Sequence, residues 1–159
     1  MGSNGTVTEL QRNSTNWTVV VDEIVKMEKQ IFPKHESLAR SFDEELKKKN
    51  SGLLYIQIHG QVVGYVMYAW ARGLLPCLLL SRSLQENYRG QGHGEALLEA
   101  AIKKCRTRTV PRITLHVDPL RTPAVNLYKQ FGFQVDTLIQ GYYSADRPAY
   151  RMYKDFDSK

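Results

Sequence analysis

The stretch Tyr88-Arg89-Gly90-Gln91-Gly92-His93-Gly94 limits what this chain can fold into more than any other. Its glycines carry no Cβ, so the backbone leaves the extended region and lets neighbouring N–H groups point together at one anion. Before the loop, Cys77 to Leu84 reads as a strand. After it, Leu97, Leu98, Ala101, Ile102 and Cys105 form one apolar stripe on a helix starting near Glu95. The first turn of that helix adds unpaired amides and the positive end of its dipole to the same place. Hydrogen bonds to a charged group net about 1.5–3 kcal/mol each, so a few of them supply most of the roughly 8 kcal/mol of a micromolar complex. The loop therefore suits a pyrophosphate. A Walker loop would need Gly-Lys-Ser/Thr, which is absent, and a Rossmann loop would sit among repeated βαβ units.

The rest of the chain alternates periods. A weak strand around Val7 to Gln11 precedes a helix in which Val20, Ile24, Met27 and Ile31 recur at helical spacing, stopped by Phe32-Pro33. Ser41 with Glu44 forms a capping box that opens a second helix ending near Lys47 to Lys49. Leu54 to Ile58, a His59-Gly60 turn and Val62 to Trp70 read as a hairpin, and Ile113 to Val117 as a later strand. Thr122 as N-cap and Pro123 at the first helical position start another helix, with Ala124, Leu127, Tyr128 and Phe131 on one face and Gly132 closing it. Strands Phe133 to Ile139 and Ala149 to Lys154 finish the chain. This order predicts an α+β fold: a mostly antiparallel mixed sheet with a central βα crossover that makes two strands parallel.

A chain of 159 residues suits a single domain, here taken as 1–159 with residues 1–6 flexible. No apolar run approaches the ~20 residues of a membrane helix. Met1 to Asn16 lacks the basic start and apolar stretch of a signal peptide, so the cytoplasm, or the nucleus, is the expected place. Gly2 fits a loose myristoylation pattern with no basic cluster beside it, and is read as no anchor. Cys77 and Cys105 lie in unrelated segments without metal-type spacing, which fits a reduced compartment and no metal site. The net charge of +6 allows a polyanionic partner, either cofactor phosphates or nucleic acid. Lys103, Lys104, Arg106, Arg108 and Arg112 cluster after the loop, and a solvated basic face explains them as well as a binding surface does.

Arg89, Gly92 and Gly94 match [QR]-x-x-G-x-[GA], and Ala124-Val125-Asn126-Leu127-Tyr128-Lys129-Gln130-Phe131-Gly132-Phe133 is similar to an A-x-x-L-Y-x-x-x-G-F helix. Together they resemble the GNAT superfamily of N-acetyltransferases, from about Leu53 onward. The resemblance implies acetyl-CoA as co-substrate and no metal. Strands ending at Leu84 and Val117 would splay apart, with pantetheine in the wedge against the backbone near Leu84. Pyrophosphate would lie on the backbone of Arg89, Gly90, Gln91, Gly92, His93 and Gly94, and Tyr128 would reach the sulfur. Phe32-Pro33, Leu115-His116-Val117 and the tail Gly141-Tyr142-Tyr143 with Ala149-Tyr150-Arg151-Met152 look most like protein amino-terminal acetyltransferases, including the ribosomal-protein type. In such enzymes Phe32, Pro33, Tyr142 and Tyr143 would flank a peptide groove. The chain departs from that pattern at Leu78, Arg82, Arg121 and Pro148.

Each candidate has two readings. Tyr128 is either a core tyrosine with a satisfied hydroxyl or the general acid for the departing thiolate. His116 faces away from Ile113, Leu115 and Val117, either as an ordinary strand histidine or as a general base acting through water. A base has modest work on an α-amine, whose pKa of about 7.7–8.0 leaves it partly neutral near pH 7.4; a lysine amine near ~10.4 is almost wholly charged. Tyr142 and Tyr143 are groove residues or strand-edge aromatics. His93 reads as a loop residue whose backbone counts, and Arg121 as a phosphate partner or a solvated side chain. The expected activity is acetyl transfer to a primary amine, foremost the α-amine of a peptide or protein, by direct attack in a ternary complex. Small amines, polyamines or lysine side chains are the alternative substrates, and an acyl-CoA-binding module is the non-enzymatic one. Nucleic acid is not the expected partner, and the choice between monomer and dimer stays open.

Overall fold

A two-residue turn organises the centre of the computed structural model, which describes residues 6–11, 17–31, 50–70, 77–84, 89–107 and 111–156. His59 and Gly60 have φ of 54° and 77°, the paired positive values of a type I′ turn, and they join β2 (Ser51–Ile58) to β3 (Gln61–Ala69). Both strands are buried along most of their length because helices cover both faces of the sheet. On one face α1 (Trp17–Ile31) inserts Val20, Ile24 and Met27 against Leu53, Tyr65 and Met67. On the other lie α2 (His93–Arg106) and α3 (Thr122–Gln130).

The sheet has seven strands in the order β1-β2-β3-β4-β5-β7-β6, with β1 at Val7–Glu9, β4 at Cys77–Leu84, β5 at Arg112–Val117, β6 at Gln134–Ser144 and β7 at Arg147–Asp155. Among the described strands only β4 and β5 pair in parallel, and α2 is their crossover. The predicted α+β sheet with one central crossover is therefore the observed one.

Several local expectations need correction. The helix α2 begins at His93, two residues before Glu95, because Gly92 supplies the left-handed N-cap at φ 86°. The N-cap of α3 is Arg121, without a side-chain cap bond, so Thr122 is already helical. On α3, Val125 and Tyr128 are the buried residues, while Ala124, Leu127 and Phe131 pack at the edge. Strand β6 runs on to Ser144, which places Tyr142 and Tyr143 inside a strand. The helix expected over Ser41 to Lys49, and Phe32 and Pro33, lie outside the described residues.

Cys77 and Cys105, read from sequence as unrelated, form a disulfide, with Cα atoms 6.1 Å apart and both side chains fully buried. The crossover explains it. An eight-residue strand advances about 26 Å and a fourteen-residue helix returns about 21 Å, so the last turn of α2 comes back over the first residue of β4.

Candidate functional site

The site begins where the ladder between β4 and β5 stops. The two strands pair at Cys77↔Ile113, Leu78↔Thr114 and Leu79↔Leu115, and no further. At the same point β4 carries an extra residue against β3: Met67 faces Ser81 and Tyr68 faces Leu79, leaving Leu80 as a bulge. A bulge bends its strand and increases the local twist. Beyond it β4 follows β3 as far as Leu84↔Gly64, while His116 and Val117 follow β7. The result is a wedge with a free backbone edge of β4 on one side, whose N–H and C=O groups call for partners. Of Leu84 only the backbone is described, and it lies at the far end of this edge.

The glycine loop lies between β4 and α2 in the chain. Gly90 and Gly92 have φ of 79° and 86°, values that a side chain would oppose. A Cβ added at either meets no atom of the described residues within 4 Å, so their packing does not demand glycine there. What glycine provides is the backbone turn and close approach by a ligand. The N-cap Gly92 makes no side-chain bond to the leading amides of α2. Arg89 and Gln91 are exposed beside them, and Gly94 is already helical. His93 is buried in the first turn, so it belongs to the helix and its packing, not to the loop as expected. This donor set fits a pyrophosphate.

His116 is the first β5 residue past the last β4 pair. The burial of β5 alternates, with Ile113, Leu115 and Val117 in the core and Thr114 and His116 on the opposite face. The ring of Tyr142 from β6 stacks on the imidazole, 4.6 Å between centroids and 11° between planes. Burial, and then the charge of Arg151, push the His116 pKa below the ordinary imidazole value. Burial likewise raises the Tyr142 phenol. The neighbouring Tyr143, of which only the backbone is described, continues β6.

Tyr128 lies on the other face. It is buried in α3 with the core side chains, and its ring meets Phe133 edge-on at 5.7 Å. Gly132, at φ 93°, turns the chain so that Phe133 N–H donates to the Tyr128 carbonyl at 3.0 Å, locking the end of α3. Tyr128 and His116 thus lie on opposite faces of the sheet.

One member of the site had no signal in the sequence. Asp118, buried just past β5, accepts from Leu120 N–H at 2.9 Å and pairs with Arg147 at the start of β7. Burial alone would raise its carboxyl; the Leu120 N–H, Arg147 and Arg121 outweigh burial and hold it below the usual carboxylate range. The pair ties the β6–β7 hairpin to the end of β5. Arg121 donates its N–H to the Asp118 carbonyl at 3.0 Å, and its half-buried side chain sits in this cluster, so it is not the solvated residue it could have been. The basic cluster after the loop is largely engaged within the chain. Lys104 pairs with Glu9, Arg112 pairs with Asp155 and lies over Tyr153, and Arg106 lies over Phe156. Among the described residues no group of acidic, histidine or cysteine side chains could hold a metal.

Comparison with known proteins agrees with this geometry. The model of the Acetyltransferase (GNAT) family matches residues 18–133. An N-alpha-acetyltransferase of Sulfurisphaera tokodaii is 32% identical over 143 residues, covering 83% of this chain and 85% of that one. The ribosomal-protein-S18-alanine N-acetyltransferase of Escherichia coli superposes with a TM-score of 0.81 at 20% identity, over 98% of this chain and 96% of that one. A NatC complex bound to Gag peptide and CoA does so with a TM-score of 0.80 at 18% identity, over 96% and 99%.

Proposed function

The chain belongs to the GNAT acetyltransferase family, and from that premise we propose that it acetylates the α-amine of a peptide or protein. The acetyl donor in this reading is acetyl-CoA, which supplies an activated thioester. The observation that carries the proposal is the parting of β4 from β5 beside His116, with Tyr128 on the other face of the sheet. An amine arriving on the His116 face and a thiolate departing on the Tyr128 face need not cross each other's path. Direct attack in a ternary complex then requires neither an acyl-enzyme nor a metal.

The loop residues Arg89 to Gly94 and the first turn of α2 hold the pyrophosphate through backbone N–H groups, and the free edge of β4 up to Leu84 holds the pantetheine amides. Arg121, in the charged cluster just past the end of β5, is the side chain we assign to a cofactor phosphate. His116 accepts the proton of the attacking amine, through one water, and Tyr142 keeps its ring in plane. Tyr128 donates a proton to the leaving sulfur. Positioning two reactants in this way is worth up to ~7–11 kcal/mol, so the base need only complete a deprotonation that an α-amine has begun.

The substrate class rests on the relatives as well: proteins similar to this chain are named N-alpha-acetyltransferases in two archaeal species. Tyr142, Tyr143, Phe32 and Pro33 are the residues we assign to the walls of the peptide groove. We place the enzyme in the cytoplasm, acting as one domain; no helix among the described residues is long and apolar enough to cross a membrane. The Cys77–Cys105 disulfide fits there because full burial shields both sulfurs from thiol exchange. The test is release of free coenzyme A from acetyl-CoA with free-amino-terminal peptides, polyamines and amino-blocked lysine peptides side by side. Turnover confined to the first supports the proposal. Faster turnover of a polyamine or a blocked lysine peptide would move the substrate to another amine, and no turnover with any would leave an acyl-CoA-binding module.

A further inference from the structure

Directly across the ladder from His116 stands Arg151 of β7. Residues opposite one another in an antiparallel pair share a face, with Cβ atoms about 4.5–5.5 Å apart. Arg151 is held there by an anchor of unusual origin. Strand β6 shifts register between Val135 and Thr137, so Thr137 faces Arg151 while the extra residue, Asp136, is released from pairing. Its carboxylate accepts from Arg151 Nε at 2.9 Å and lies 2.7 Å from Nη2, both on Oδ2. We infer that Arg151, fixed by Asp136 at the β6 bulge, is a positioning residue for His116 that keeps the imidazole able to accept a proton and so sets the lower pH limit of acetylation. This rests on His116 being the base.

The local charges favour that assignment. Around His116 the described elements present Arg151 from β7, Asp136 and Tyr142 from β6, and the Asp118–Arg147 pair just beyond the end of β5. The Asp118–Arg147 pair is internally neutral, as is Arg112–Asp155 toward the start of the strand. Burial raises the Tyr142 phenol, which is neutral at working pH. The charges left closest to the imidazole are therefore those of Arg151 and its anchor, and the cation is the nearer of the two because it lies on the adjacent strand. Arg151 acts in the same direction as burial on the His116 proton. Its partner Asp136 offsets part of that effect. Removing one or the other should then move the same equilibrium in opposite directions, which a merely structural ion pair would not do.

The experiment is a pH titration of the His116 ring by nuclear magnetic resonance, paired with the pH profile of kcat/KM, in wild type, Arg151→Gln, Arg151→Lys and Asp136→Asn. Unit charges about 6 Å apart in a water-like dielectric change a proton equilibrium roughly threefold. Arg151→Gln should bring protonation of His116 on at higher pH and lower kcat/KM about threefold on the acid limb, with the alkaline plateau unchanged. Arg151→Lys should keep the wild-type midpoint, and Asp136→Asn should move it to lower pH. If the His116 midpoint stays put, or both neutral variants move it the same way, the inference is overturned. If instead the inflection of kcat/KM at the His116 midpoint, below that of the substrate α-amine, survives in His116→Ala, it is the assignment of His116 as base that fails.

Discussion

Opening the bond between Cys77 and Cys105 is the perturbation whose size the fold predicts most directly. The bond joins residues 28 apart, and the loop it closes holds Arg89 to Gly94 and nearly all of α2. Releasing a loop of that length returns about 12 cal/mol/K to the unfolded chain, or about 3.6 kcal/mol at 25 °C. Unfolding entropy of roughly 2.1 cal/mol/K per residue gives about 330 cal/mol/K for 159 residues, so the melting temperature should fall by about 10 °C. Both sulfurs are fully buried, so the reductant has to act on the unfolded chain. The assay is to unfold and reduce the protein, refold it with reductant present, and melt it beside the oxidised form. A Cys77→Ala/Cys105→Ala variant should melt identically with and without reductant, and below the reduced wild type because it also loses the packing of two sulfurs. Oxidised and reduced wild type melting within about 2 °C of each other would refute the chain-entropy argument, and two titratable thiols in the oxidised, denatured protein would refute the bond itself.

Three further outcomes follow from the site. Gly92→Ala should cost about 1–2 kcal/mol through its left-handed φ and should shrink the stabilisation by acetyl-CoA, which for wild type is about 2.7 kcal/mol at 100 times Kd; a lower melting point with a full ligand shift would contradict the cradle. Tyr128→Phe should leave acetyl-CoA affinity nearly unchanged while kcat drops by roughly 10²–10⁴, and wild-type turnover would return Tyr128 to the core. Asp118 has its folded pKa below the unfolded value, so it contributes stability above about pH 3.9 that is lost as pH falls through the folded value. Asp118→Asn should therefore be less stable than wild type near pH 7 and converge with it in strong acid, as followed by denaturant midpoints across pH; a constant gap would mean its charge plays no part.

The fold was legible wherever one residue type decides a backbone conformation or one face decides burial. His59-Gly60, the α2 stripe and the alternation of Ile113, Leu115 and Val117 around His116 are of that kind. The glycine turn before α2 and the helix that carries Tyr128 were legible because glycines and a patterned helix leave local signals. What stayed hidden depends on registers between distant segments. No residue type marks the bulge at Leu80 that opens the wedge, or the one that frees Asp136 for Arg151, since neither involves Gly or Pro. The pairing of Cys77 with Cys105 follows from matching the lengths of a strand and a helix, and that of Asp118 with Arg147 from a hairpin folding back on β5. The start of α2 was misplaced because Gly92 and Gly94 read as loop, whereas a single left-handed N-cap at Gly92 is enough to begin the helix.

The central claim, that this wedge delivers an acetyl group to an α-amine, is tested most directly by locating the product acetyl group on one substrate that offers both choices. A peptide with a free amino terminus and an internal lysine would be incubated with acetyl-CoA near neutral pH and sequenced by tandem mass spectrometry. The account predicts a single acetyl group on the terminal nitrogen, and none anywhere once that terminus has been blocked beforehand. Acetylation of the lysine nitrogen, at equal or greater rate with the terminus blocked, would contradict it.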